Sequence, residues 1–144
     1  MNHDQFTWAV AQSTNNENPF FISFAEIKDY IERTSFPHRL NIFWELREPD
    51  PGSNLPSNQD HDETRIFEGR LVEAIEKEGH SILIMVLSGK GQKEYVIQTI
   101  DPNLFLKSLT NMPQEEERYP IEIIHNEDDT WDYYDRVLSD IEGN

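Results

Sequence analysis

The chain of 144 residues contains no cysteine. Disulfides, thiol nucleophiles and Cys-ligated zinc or iron–sulfur centres are therefore excluded. Long apolar runs are missing as well. The longest, Ile82 to Leu87, falls far short of the roughly 20 residues a helix needs to cross a bilayer. Basic residues are scarce: 12 Lys and Arg stand against 28 Asp and Glu, a formal net charge of −16. Such a field repels nucleic-acid phosphates and anionic lipid surfaces, so neither is an expected direct partner. The opening Met1-Asn2-His3-Asp4 lacks the basic and apolar regions of a secretory signal. A bacterial-type cytoplasmic protein is the expectation.

What is present is sufficient for a core. Leu, Ile, Val and Phe number 10, 14, 5 and 8, about a quarter of the chain and above the roughly 20% line for disorder. The acidic excess is uneven. Residues 115–144 hold 11 acidic and 2 basic residues, a net −9, more than half of the total excess in a fifth of the length. A local field of that sign attracts basic protein surfaces and speeds encounter with them.

Periodicity sets out the elements. Phe6–Ala11 and Pro19–Phe24 read as strands of an N-terminal hairpin around the Asn-rich turn at 13–18. Apolar positions from Ala25 to Arg33 suit one or two helical turns, broken before Pro37. Leu40, Ile42, Trp44 and Leu46 alternate along a strand. Glu48–Gln59, with three prolines, is a loop. Asp60–Glu78 reads as a helix with Ile66, Phe67, Arg70, Leu71, Ala74 and Ile75 on one side, an Asp60 or Asp62 cap, and Gly79 beyond its end. Ser81–Ser88 is apolar throughout, as a strand buried on both faces requires. Gly89-Lys90-Gly91 turns it back into Glu94–Ile100. Asp101-Pro102 opens a second helix whose apolar side is Phe105, Leu106 and Leu109. Pro120–His125 is a strand with Ile121 and Ile123 on one face. Thr130–Ile141, capped by Asp128 or Asp129, is a last helix with the stripe Trp131, Tyr134, Val137, Leu138 and Ile141.

From Leu40 to His125 the order is β-α-β-β-α-β, which predicts an α+β, ferredoxin-like antiparallel sheet with two helices on one face. The chain reads as a single domain over 1–144: a hairpin extension at 1–36, the core at 37–126 and the C-terminal helix at 127–144. The two-faced strand at 82–87 and Phe43 imply that the second sheet face is covered too. Trp44, Phe67, Leu71, Ile75, Ile84, Val86, Phe105 and Ile123 are the expected core.

Several phrases carry a resemblance. They are Phe36-Pro37-His38-Arg39-Leu40, Ile66-Phe67-Glu68-Gly69-Arg70-Leu71, and Gly91-Gln92-Lys93-Glu94-Tyr95-Val96 leading to Asp101-Pro102. Tyr119-Pro120-Ile121-Glu122-Ile123 follows, ahead of Asp128, Trp131 and Tyr134. In order and spacing the set resembles the uncharacterised bacterial family numbered 695 among the domains of unknown function, from Trp8 to Leu138. That family is in turn distantly similar to the regulator of ribonuclease activity B, a small acidic inhibitor of ribonuclease E with a ferredoxin-like fold. The resemblance implies that fold. It brings no catalytic residues.

No catalytic or cofactor signature stands out. HExxH and GxSxG are absent, and Ser88-Gly89-Lys90-Gly91 has neither the length nor the hydroxyl of a P-loop. Asn126-Glu127-Asp128-Asp129 lacks the alternation of a calcium loop. The acids around His61 suit a helix N-terminus. The expectation is a protein without catalytic residues, cofactor or metal: a protein-binding or regulatory module, nuclease-inhibitor-like, that docks a basic protein such as a nucleic-acid enzyme. Its binding residues would be Glu115, Glu116, Glu117, Asp129, Asp132, Tyr133 and Asp135, with Tyr133, off the apolar stripe, as an exposed aromatic anchor. Two alternatives remain. One is a small metal-dependent or hydrolytic enzyme using the junction of His125, Asp128 and Asp129. The other is a structural domain without independent activity.

Overall fold

The computed structural model describes residues 6–12, 20–27, 32–113 and 118–142. Six strands of the described residues form one sheet. They are β1 (Trp8–Gln12), β2 (Phe21–Ala25), β3 (His38–Glu45), β4 (Ser81–Gly89), β5 (Gln92–Thr99) and β6 (Ile121–Glu127). Among the described residues three α-helices pack on it: α1 (Asn58–Glu76), α2 (Pro102–Asn111) and α3 (Asp132–Glu142). The strands lie in the order β1-β2-β4-β5-β3-β6. Every neighbouring pair is antiparallel. The architecture is a mixed α/β one, and the N-terminal hairpin extends the sheet by two strands, because β2 pairs with β4. The Asn-rich turn and residues 28–31 of the suggested helical turns lie outside the described residues. Within the remainder of that stretch, Arg33–Ser35 forms one 3-10 turn.

Each sheet face carries a core. On one side Leu40, Ile42 and Trp44 of β3 meet Phe67, Leu71 and Ile75 of α1 and Phe105 of α2. The rings of Trp44, Tyr95 and Tyr119 surround Phe67, with centroids 4.9, 5.6 and 5.0 Å from it. Offset and edge contacts of this kind add to the gain from area burial. On the other side Trp131, just ahead of α3, and Tyr134, Val137, Leu138 and Ile141 of α3 pack against Ile22, Ile82, Ile84, Met85 and Val96. Helical spacing thus located both inward faces, with three corrections. Ile66 and Leu106 are exposed, at 50% and 44%, because the sheet and the other helix leave those flanks of α1 and α2 uncovered. Ile123 is half-buried, since β6 is an edge strand.

β4 is buried along its entire length. Its alternation is broken by a β-bulge between Leu83 and Met85, where Leu83 pairs with Ile97 and Met85 already with Val96. Ile82, Ile84, Met85 and Leu87 consequently join the α3-side core, while Leu83 and Val86 face α1. The carboxylate of buried Glu76, at the end of α1, accepts the Leu83 N–H at 3.1 Å beside the bulge. A buried amide left without a partner would be costly there.

Local chemistry sets the boundaries. α1 begins two residues before the expected start, and its cap is Ser57. The Ser57 hydroxyl accepts the Asp60 N–H and the Asp60 carboxylate accepts the Ser57 N–H, a capping box. Neither of the two expected caps, Asp60 or Asp62, takes that position; Asp60 is the reciprocal partner of Ser57. The Asp60 carboxylate also accepts the amides of Arg47 and Glu48, tying the loop to the helix. Lys90 and Gly91 turn β4 into β5 with φ of 52° and 79°, the two-residue hairpin that needs positive φ at both positions. Asp101 caps α2 as expected, accepting the Asn103 N–H at 2.9 Å. No helix among the described residues is long and apolar enough to cross a membrane.

Candidate functional site

The acids singled out in the C-terminal region lie around the start of α3. Asp128 is buried, and its carboxylate accepts the Asp132 N–H at 2.7 Å, so it opens the helix. Its backbone N–H donates to Pro37 and its carbonyl accepts from Trp131, which closes a tight turn. Trp131 ends that turn with φ of 59°, a left-handed conformation that is strained for a bulky residue. Complete burial holds it there, with the indole N–H donating to the carbonyls of Arg33 and Phe36.

Beneath α3 a polar cluster is set into the sheet. Arg39 of β3 donates to Asp128 at 2.7 Å and to the Asn41 side chain at 2.8 Å. The Asn41 amide donates to Glu94 of β5 at 2.7 Å, and the Tyr133 hydroxyl donates to the same carboxylate oxygen at 2.6 Å. The Arg39 guanidinium lies 4.6 Å from the centre of the Tyr133 ring. Gln98 donates to the Phe36 and Asp128 carbonyls from the neighbouring part of β5.

This arrangement corrects the reading of Tyr133. It is half-buried, and its hydroxyl is committed to Glu94, so it is no exposed anchor. Asp129, Asp132 and Asp135 are exposed, and Asp135 is paired with Arg33 at 2.8 Å. Glu115, Glu116 and Glu117 lie outside the described residues. The His125–Asp128–Asp129 junction is not brought together as a ligand set. Asp128 is engaged by Arg39 and the helix amides, whereas His125 meets His38, Nε2 to Nδ1 at 3.1 Å. Among the described residues no three His, Asp or Glu side chains converge where a metal ion would sit.

Two further features escaped sequence reasoning. An open cleft of about 920 Å³ lies between the β4–β5 turn, the end of α2 and the start of β6, with Phe43, Lys90, Met112, Arg118, Tyr119 and Glu122 on its walls. Its lining carries no histidine and mixes both signs of charge. The second feature is buried His80, set in a chain of hydroxyls. Thr99 donates to the His80 carbonyl and Ser81 donates to Thr99. Nδ1 of His80 lies 2.6 Å from the Ser81 hydroxyl and Nε2 lies 2.9 Å from the Ser108 hydroxyl, so both ring nitrogens have a partner. The chain ties the connection between α1 and β4, and the second half of α2, to the β4–β5 pair.

Three phenols around these cores are held above their ordinary value. Burial is the first cause for Tyr95, Tyr133 and Tyr134, and the hydrogen bond and charge of Glu94 add to it at Tyr133. A raised folded-state value means that this stability is complete below the unfolded value of about 10 and is lost as pH rises beyond it. The melting temperature is accordingly expected to fall steadily above about pH 10, with phenolate absorbance at these three residues appearing together with unfolding. Their ionisation within a still-folded chain, followed by ultraviolet absorbance and circular dichroism, would contradict that order.

The fold and its α3 face thus define an acidic mixed α/β protein with one antiparallel sheet covered on both sides. The family model described as "Family of unknown function (DUF695)" matches residues 7–139, nearly the whole chain, and the protein belongs to that family. No curated protein and no solved structure matches it.

Proposed function

We propose that the protein is an acidic binding module that docks the basic surface of a partner protein through the outer face of α3, and that a nucleic-acid enzyme is the partner class best suited to it. The supporting observation is the division of labour on α3 and the turn that leads into it. Trp131, Tyr134, Val137, Leu138 and Ile141 turn to the core, and Asp129, Asp132, Asp135 and Asp140 are left exposed. The scaffold beneath this face is read as a ferredoxin-like core, with β3, α1, β4, β5, α2 and β6 supplying the split β-α-β units and the hairpin and α3 as additions. An inhibitor-like role rests on charge. A basic groove built to hold nucleic-acid phosphates also attracts a row of carboxylates.

Because Tyr133 is engaged with Glu94, the carboxylates carry recognition in this reading. Single rim charges are worth little, so the informative variant combines Asp129→Asn, Asp132→Asn and Asp135→Asn. A basic protein recovered by pull-down at about 50 mM salt should be lost at about 500 mM, where the Debye length is roughly threefold shorter. The triple variant should associate with it about three- to tenfold more slowly while melting within a few degrees of wild type. Failure to capture any basic protein at low salt, or capture indifferent to both salt and the three substitutions, would sink this function.

A further inference from the structure

We propose that His38 and His125 form a two-histidine site for a borderline transition-metal cation such as Zn²⁺. The site is independent of the α3 docking face. It lies where β3 pairs with edge strand β6, and it joins residues 87 apart in the chain.

The argument begins with the ladder. Leu40 stands opposite His125 and His38 opposite Glu127. His38 and Leu40 are two apart on β3, so the imidazoles form a diagonal pair on one face of the sheet. Both rings extend from hydrogen-bonded strands, which hold their backbones in place before any ligand arrives. Nδ1 of His38 and Nε2 of His125 approach to 3.1 Å. Two imidazole nitrogens bound to one zinc ion at about 2.0–2.1 Å, at an angle between octahedral and tetrahedral, lie about 2.8–3.4 Å apart. The pair therefore already has the separation of one edge of a coordination polyhedron. The ring planes are inclined at 45° and the centroids are 5.1 Å apart, so the rings are not stacked face to face.

Ligand type selects the cation. Imidazole nitrogen suits zinc, nickel and copper, whereas magnesium and calcium take oxygen ligands. The formal net charge of −16 raises the local concentration of any divalent cation. Two protein ligands leave the remaining positions to water. Glu127 projects on the same side of the sheet by register, but no third His, Asp or Glu among the described residues joins the pair. The pair is exposed, so an ion has direct access from solvent. A lone N–H···N hydrogen bond between the rings is the competing explanation of the same distance, and metal titration separates the two.

The test is calorimetric titration with Zn²⁺, repeated with Co²⁺ to read its ligand-field absorption, on a His3→Ala background that removes an imidazole near the chain start. One equivalent is expected to bind and to raise the melting temperature. His38→Ala and His125→Ala should each weaken binding at least tenfold. Their combination should be hardly worse than either alone, because one loss already breaks the chelate. His61→Ala should change nothing. His38→Gln and His125→Gln keep most of the side-chain volume without an imidazole and serve if an alanine variant melts early. Absence of one-equivalent binding on the His3→Ala background, or binding that survives loss of either imidazole, would overturn the site and leave the hydrogen bond as the explanation.

Discussion

Ile84→Asp is expected to abolish the folded state at neutral pH. Ile84 is fully buried at the bulge of β4, a strand enclosed on both faces. Its neighbours in the α3-side core are Ile22, Met85, Val96 and Trp131. A carboxylate placed there must ionise without a partner or take up a proton. Holding a buried carboxyl neutral at pH 7 costs about 4–5 kcal/mol, for a pKa displaced by several units. The lost apolar side chain adds about 2–4 kcal/mol. The total rivals the roughly 5–15 kcal/mol that hold a domain of this size together. Ile84→Val, which removes one methylene, is expected to cost only about 0.5–1.5 kcal/mol. Urea unfolding followed by circular dichroism checks both. An Ile84→Asp variant that still unfolds cooperatively within about 2 kcal/mol of wild type would show that β4 is not enclosed as described.

That same strand marks how far sequence reasoning reaches. Six consecutive apolar residues announce burial on both faces, and burial is what β4 has. The run contains no polar residue to mark phase, so a bulge that shifts Met85 and Leu87 to the α3 side leaves no trace in it. Helices are more legible because their polar positions mark the turn. The α3 stripe from Tyr134 to Ile141 faces the core as its spacing requires, and Trp131 joins it from the turn before the helix, which begins at Asp132 and not at Thr130. Spacing says nothing about what the remaining positions meet. Tyr133 lies off the stripe, which suggested exposure, yet the sheet beneath offers Glu94 and Arg39 at just that point. The Pro-rich loop concealed a cap for a related reason. Ser57 and Asp60 bond reciprocally across three residues, and two acids nearby were equally plausible caps by residue type.

Pairs distant in sequence were the least legible. His125 was grouped with Asp128 and Asp129 because they are adjacent in the chain. The β3–β6 ladder gives it His38 instead and gives Asp128 to Arg39. A strand order in which β3 lies between β5 and β6 is needed before either pairing can be seen. That order also places Asn41 beside Glu94 and completes the polar cluster.

Arg39→Met should produce the second large loss, about 3 kcal/mol or somewhat more, while leaving most of the side-chain stem in place. The Arg39 and Asp128 side chains are only 13% and 5% exposed, so solvent screens the 2.7 Å ion pair little. Removing the guanidinium strands the Asp128 carboxylate, takes a donor from Asn41 and uncovers one face of Tyr133. Asp128→Asn keeps an oxygen for the Asp132 N–H and so retains the helix cap while removing the charge. The double variant separates pair from parts. If the ion pair is what fastens α3 to the sheet, the double loss falls short of the summed single losses by about 1.5–3 kcal/mol. A coupling below about 0.5 kcal/mol would reduce Arg39 to a packing residue. Amide exchange supplies the spatial half of the test. α3 is held by its apolar stripe and by this cluster, whereas the central strands are fastened by neighbours on both sides. In Arg39→Met the α3 amides should therefore lose protection first, with β4 and β5 keeping theirs until global unfolding.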